Sequence, residues 1–233
     1  MAKQDQGSEN PFDFGLENLD IKDTISKSEQ FFEKYKQLLI GVFGGLIVVI
    51  GLVYYINGVY LPNQQEEAQN LMFVAERYFE NDSLSLAVNG DGNFPGFVEI
   101  ADDYGWTRAG KLAHYYAGIS YLRMEQFENA IDHLKKFSTN EPIIGSIALG
   151  ATGDAYLELG EQDKALDYYL KAASKEENDF TTPVYLMRAG ELAESLGNKK
   201  KALELYEQIL ADYKSTTEGQ AVEKYIARLN ASK

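Results

Sequence analysis

Cysteine and histidine, which most often hold a transition metal or drive attack on a carbonyl, are scarce in this chain. Cysteine is absent, and His114 and His133 are the only two histidines among 233 residues. That excludes disulfides, thiolate metal sites and thiol nucleophiles, and two imidazoles are too few for a multi-histidine metal site. His114 falls on the first helix of a helical hairpin and His133 on the second, and each reads as a packing or surface residue. Asp102-Asp103 and Glu176-Glu177 are carboxylate pairs, but they sit at helix ends and read as solvated. Gly90-Asp91-Gly92-Asn93 lacks the ligand spacing of a calcium loop and reads as a turn. No Gly-x-Ser-x-Gly, His-Glu-x-x-His or phosphate-binding glycine loop occurs. An active site would have to rest on Asp, Glu, Tyr or Ser alone, so the expectation is a protein that is not an enzyme and takes no cofactor or metal.

Binding remains, and charge narrows its partners. The chain has 22 Lys and Arg against 36 Asp and Glu, a net charge of -14 at pH 7. A field of that sign repels phosphate backbones, so nucleic acid is not an expected partner. A hydrophobic content of 45% and an aromatic content of 12% rule out a wholly disordered chain. The acidity is concentrated in residues 61–233, which hold 17 basic and 28 acidic side chains, a net of -11.

The mean hydropathy of -0.33 hides one segment. Leu38 to Ile56 is a run of 19 residues without charge, Asn, Gln, Ser, Thr or Pro. As a helix it covers roughly 28 Å, close to the hydrocarbon thickness of a bilayer. Thirteen of its residues are Leu, Ile, Val or Phe, four are Gly and two are Tyr. A core helix of a small domain would carry a polar face, and this one carries none. The run starts too deep for a cleaved signal and no Ala-x-Ala site follows, so it reads as an uncleaved anchor. Lys22, Lys27, Lys34 and Lys36 precede it, and the first basic residue after it is Arg77. The positive-inside rule therefore predicts a cytoplasmic N-terminus and an outside C-terminal domain. Phe31, Phe32 and Tyr35 on one flank, and Tyr54, Tyr55 and Tyr60 on the other, suit the two interfaces. Gly41 and Gly45 form a Gly-x-x-x-Gly pair, a candidate packing face for another membrane helix. Ahead of the span, residues 1–37 form a polar tail. It is expected to be disordered to Asp20 and then to form a short helix capped by Thr24 or Ser26.

Behind the anchor segment (residues 38–60), helical periodicity dominates. Gly118-Ile-Ser-Tyr121 precedes Ala130 and Leu134, Gly153-Asp-Ala-Tyr156 precedes Ala165 and Tyr169, and Gly190-Glu-Leu-Ala193 precedes Ala202 and Tyr206. Glycine to alanine is 12 residues and alanine to the large residue is 4 in each, with periods of 35 and 37. Small residues let two antiparallel helices approach, and the large residue fills the gap. This pattern resembles the tetratricopeptide repeat (TPR). The predicted fold is all-α: one N-terminal transmembrane helix followed by a tetratricopeptide-repeat α-solenoid. Its parts are a degenerate first hairpin (61–106), three repeat hairpins (107–214) and a capping helix (215–233). Within the first part, Gln64 to Asn81 reads as a helix, Ser83 to Asn93 as a loop, and Phe94 to Tyr104 as a shorter helix. Ser215-Thr-Thr-Glu218 reads as a capping box starting the last helix.

In such solenoids the first helix of each hairpin lines the concave face. The groove candidates are Tyr115, Ile119, Leu122 and Arg123, then Asp154, Leu157 and Glu158, then Met187, Glu191 and Glu194. Arg123 is the only base among them, which suggests extended apolar or basic polypeptide ligands.

The whole arrangement also resembles the YfgM-like ancillary subunit family of the Sec translocon. The resemblance rests on Ser28-Glu-Gln-Phe-Phe-Glu-Lys-Tyr-Lys36 running into one span, then a degenerate hairpin and repeats. The Gly-rich stretch from Asn81 to Asn93 is similar to Bacteroidota members. It implies a single-pass bacterial inner-membrane protein with a periplasmic domain. The implied partners are the SecYEG translocon, a membrane-anchored periplasmic chaperone of the prolyl-isomerase type and secreted client polypeptides. A cell-envelope or cell-division scaffold is the alternative.

Overall fold

A computed structural model describes residues 21–231, and among these every regular element is helical. The expectation of a disordered tail over residues 1–20 lies outside them. The chain divides into two units, residues 1–58 and residues 59–233.

The first unit is helix α1, Ile21–Tyr55. It begins ahead of both Thr24 and Ser26, so neither caps a separate juxtamembrane helix. No Gly or Pro lies between Ile21 and Lys36, so nothing in that stretch breaks the helix before the apolar run. Its apolar side chains are bare along the run, Ile47 for example being 69% exposed. This is the one segment among the described residues long and apolar enough to cross a membrane. A π-helical turn, Ile56–Tyr60, follows in the sequence. It stands just ahead of Pro62, whose missing N–H removes a regular helical hydrogen bond.

The second unit opens with α2, Leu61–Glu80, then α3, Leu84–Asn89, and α4, Phe97–Tyr104. Helix α3 corrects the reading of Ser83 to Asn93 as a loop. Leu84, Ala87 and Val88 fall at helical spacing, and the last two are fully buried. Helix α4 starts three residues later than expected. Phe94 precedes Pro95, which disfavours helical backbone at that residue. Asp91, as predicted, makes a turn: its Oδ1 accepts from the backbone N–H groups of Asn93 and Phe94.

Three hairpins follow: α5 (Arg108–Arg123) with α6 (Phe127–Lys136), α7 (Pro142–Glu158) with α8 (Gln162–Ser174), and α9 (Thr182–Ser195) with α10 (Lys199–Asp212). Each hairpin packs on the next, and α11, Thr217–Ala231, closes the stack against α9 and α10. The N-cap of α11 is Thr216, not Ser215: its Oγ1 accepts from the Gly219 N–H at 3.1 Å. The first hairpin is tied to the degenerate one through Phe97, which stacks on Tyr116 at 5.1 Å. Gln65 of α2 also accepts from the Ala109 N–H at the start of α5.

The repeat register expected from the sequence has a direct steric basis. A Cβ on Gly118 would sit 2.6 Å from Leu134, one on Gly153 2.8 Å from Tyr169, and one on Gly190 2.4 Å from Tyr206. Each glycine faces the large residue 16 positions later, so the glycine sets how closely the two helices of a hairpin approach.

Candidate partner-binding groove

The first helices of the hairpins, α5, α7 and α9, carry all ten groove candidates. Their roles differ. Tyr115 packs its ring against Phe137 at 5.3 Å, and Ile119 and Leu122 pack against the cluster of Leu134, Ala148 and Ala151. Arg123 turns away toward the degenerate hairpin. Its Nη2 donates to Asp82 at 2.7 Å and its guanidinium lies 5.3 Å from the Phe79 ring centre.

Asp154, Leu157 and Glu191 share one opening of about 400 Å³ with Gln162, Tyr169, Arg188, Leu192 and Ser195. The Tyr169 hydroxyl donates to Asp154 Oδ1 at 2.7 Å, and Arg188 Nη1 donates to the same oxygen at 2.5 Å. One repeat further on the pattern recurs. The Tyr206 hydroxyl donates to Glu194 Oε2 at 3.2 Å and Arg228 Nη2 to the same oxygen at 2.7 Å. In both, the arginine lies 34 residues after its acid. Burial, reinforced by the neighbouring carboxylates, holds both tyrosine hydroxyls well above the ordinary phenol range. Both phenols therefore stay protonated as donors.

Arg123 is thus not the only base at this surface. Sequence reading passed over Arg188 because it sits one position after the inward-facing Met187, and a rigid count of helix faces places it outside. A guanidinium on a stem of three methylenes reaches back to Asp154. The signal was present as the shared 34-residue offset. The consequence is chemical: Asp154 and Glu194 are already neutralised by the chain's own arginines, while Leu157 and Met187 are half-buried and Glu158 and Glu191 are exposed. Gly41 and Gly45 lie on α1 with nothing within 4 Å of an added Cβ. No group of three or more His, Cys, Asp and Glu suited to a metal occurs among the described residues.

Comparison with known proteins supports the repeat register. One tetratricopeptide-repeat model matches residues 112–142 and 185–216, and a second matches residues 148–178. A solved structure of a Podosopora anserina putative kinesin light chain with nearly identical TPR-like repeats is similar, with a TM-score of 0.53 and 14% identity. The match covers 72% of this chain and 87% of that one. A variant of the same protein gives a TM-score of 0.53, 13% identity, and coverage of 72% and 86%. No curated protein matches the chain. The three hairpins between residues 112 and 216 are therefore tetratricopeptide repeats, stacked as a solenoid built for protein–protein contact.

Proposed function

We propose that this protein is a membrane-anchored, non-catalytic scaffold that holds an extended polypeptide in its repeat groove beside the Sec protein-export channel. In this reading α1 anchors the chain in a bacterial inner membrane, with the N-terminus cytoplasmic and the repeats periplasmic. The lysines before the span, and their absence just after it, support that orientation. The observation that carries the binding role is the run of three registered hairpins, with residues of α7 and α9 around one opening. Because Asp154 and Glu194 are paired in cis, the ligand chemistry that fits best is apolar. Leu122, Leu157 and Met187 offer half-buried apolar contacts at successive repeats. An emerging, unfolded secretory segment has that character. The resemblance to translocon ancillary subunits supports the choice of channel, and by the same resemblance a membrane-anchored prolyl-isomerase-type chaperone is the second partner.

Extraction of the full chain in a mild detergent, followed by affinity capture, tests this. Recovery of SecYEG in stoichiometric amounts is the expected result. Clean absence of the channel, together with septal or polar localisation, would transfer the scaffold to envelope or division machinery.

A further inference from the structure

The two histidines, 19 residues apart, meet. His114 on α5 and His133 on α6 bring their Nδ1 atoms to 3.1 Å, with ring centres 5.2 Å apart. His114 is only 8% exposed. Among the described residues no third His, Cys, Asp or Glu joins them to make a metal-binding group. The contact is therefore a hydrogen bond in which one neutral ring donates and the other accepts, and it needs at least one unprotonated Nδ1.

We propose that acid opens the α5–α6 hairpin through this histidine pair. In the closed hairpin the rings are packed between helices. Once the hairpin opens they enter water, where each takes a proton at the ordinary imidazole value of about 6.5. The closed form resists that proton. Burial, then the proximity of His133 and Lys136, pushes His114 down to about 4, and burial with Lys136 also lowers His133. Asp102 of α4 and Asp132 of α6 act in the opposite direction without outweighing burial, and the uncharged Tyr121 ring lies 5.5 Å from His133. The sign follows. A folded-state value below the unfolded one gives stability that is complete above about pH 6.5 and drains away as pH falls toward 4. For His114 alone, the opening equilibrium rises roughly twentyfold between pH 7 and pH 5. That interval lies above the ordinary carboxylate range, but burial raises Glu76 of α2 beside α5, so substitution of the histidine separates the imidazoles from the acids. Helix α5 also carries Tyr115, Ile119 and Leu122, so acid dismantles that end of the groove first. Helices α7 to α10 contain no histidine.

The test is amide hydrogen exchange on the full chain in lipid nanodiscs at pH 7 and pH 5, corrected for intrinsic exchange. Amides of α5 and α6 should lose protection about twentyfold more than those of α9 and α10. His114→Asn, whose side-chain amide sits where Nδ1 did, should cut that difference at least fivefold. Equal responses of the two hairpins, or an undiminished response in the variant, would overturn the proposal. If the variant does not fold, imidazole NMR on the unmodified chain decides. The His114 ring should remain neutral at pH 5 in the closed hairpin, and its ordinary titration near 6.5 would overturn the switch.

Discussion

The first and third repeats follow one plan and are secured by different chemistry. Both place a glycine on the first helix opposite a large residue 16 positions later. In the first repeat that residue is Leu134, and the polar link between helices is the His114–His133 contact. In the third it is Tyr206, whose hydroxyl reaches Glu194 and through it Arg228 of α11. The turns differ as well. Gly197 holds the left-handed backbone of the third at φ 76°, whereas Glu125 holds the matching position of the first at φ 61°. The geometry of approach is thus the fixed part of the repeat. The filler and the polar link are exchangeable, and they decide how firmly each hairpin is locked.

Substitutions should break that comparison in order. Gly190→Val drives a side chain into the fully buried Tyr206 ring, and about 3 kcal/mol of stability should be lost in denaturant unfolding. Gly118→Val meets Leu134, a smaller and more adaptable neighbour, and should cost about 1–2 kcal/mol. Equal losses would mean that the filler does not matter. Next comes a gain: Glu125→Gly relieves a left-handed residue and should stabilise the first hairpin by about 1 kcal/mol, making it more like the third. Smallest is Arg188→Ala. Its pair with Asp154 is 46% and 34% exposed, so the loss should be about 0.5 kcal/mol and should vanish in high salt.

The repeat architecture was legible because glycine and alanine recur at fixed offsets, and only small residues satisfy a close helix approach. The apolar run was legible from its length alone. Helix α3 was not, since six residues, Leu84–Asn89, are too few to display a period. The cap of α11 was missed by one residue because Ser215 and Thr216 are both competent, and only the backbone path selects between them. Among the groove candidates, Asp154 and Glu194 were named from the sequence but the arginines that pair with them were not. Arg188 and Arg228 belong to the next helices of the stack, and a long side chain's reach is not written in a helix-face pattern. The histidine pair joins two helices across a turn, so each ring looked isolated when read singly.

Site-specific photocrosslinking on the full chain in native membranes asks whether the repeat surface holds a polypeptide. A probe at Met187, half-buried in the groove, is compared with one at the exposed Lys200 on the second helix of the same hairpin. Crosslinks from Met187 to an extended, apolar polypeptide are expected during active export, and few from Lys200. Equal labelling at both positions, or none at Met187, would contradict a binding groove.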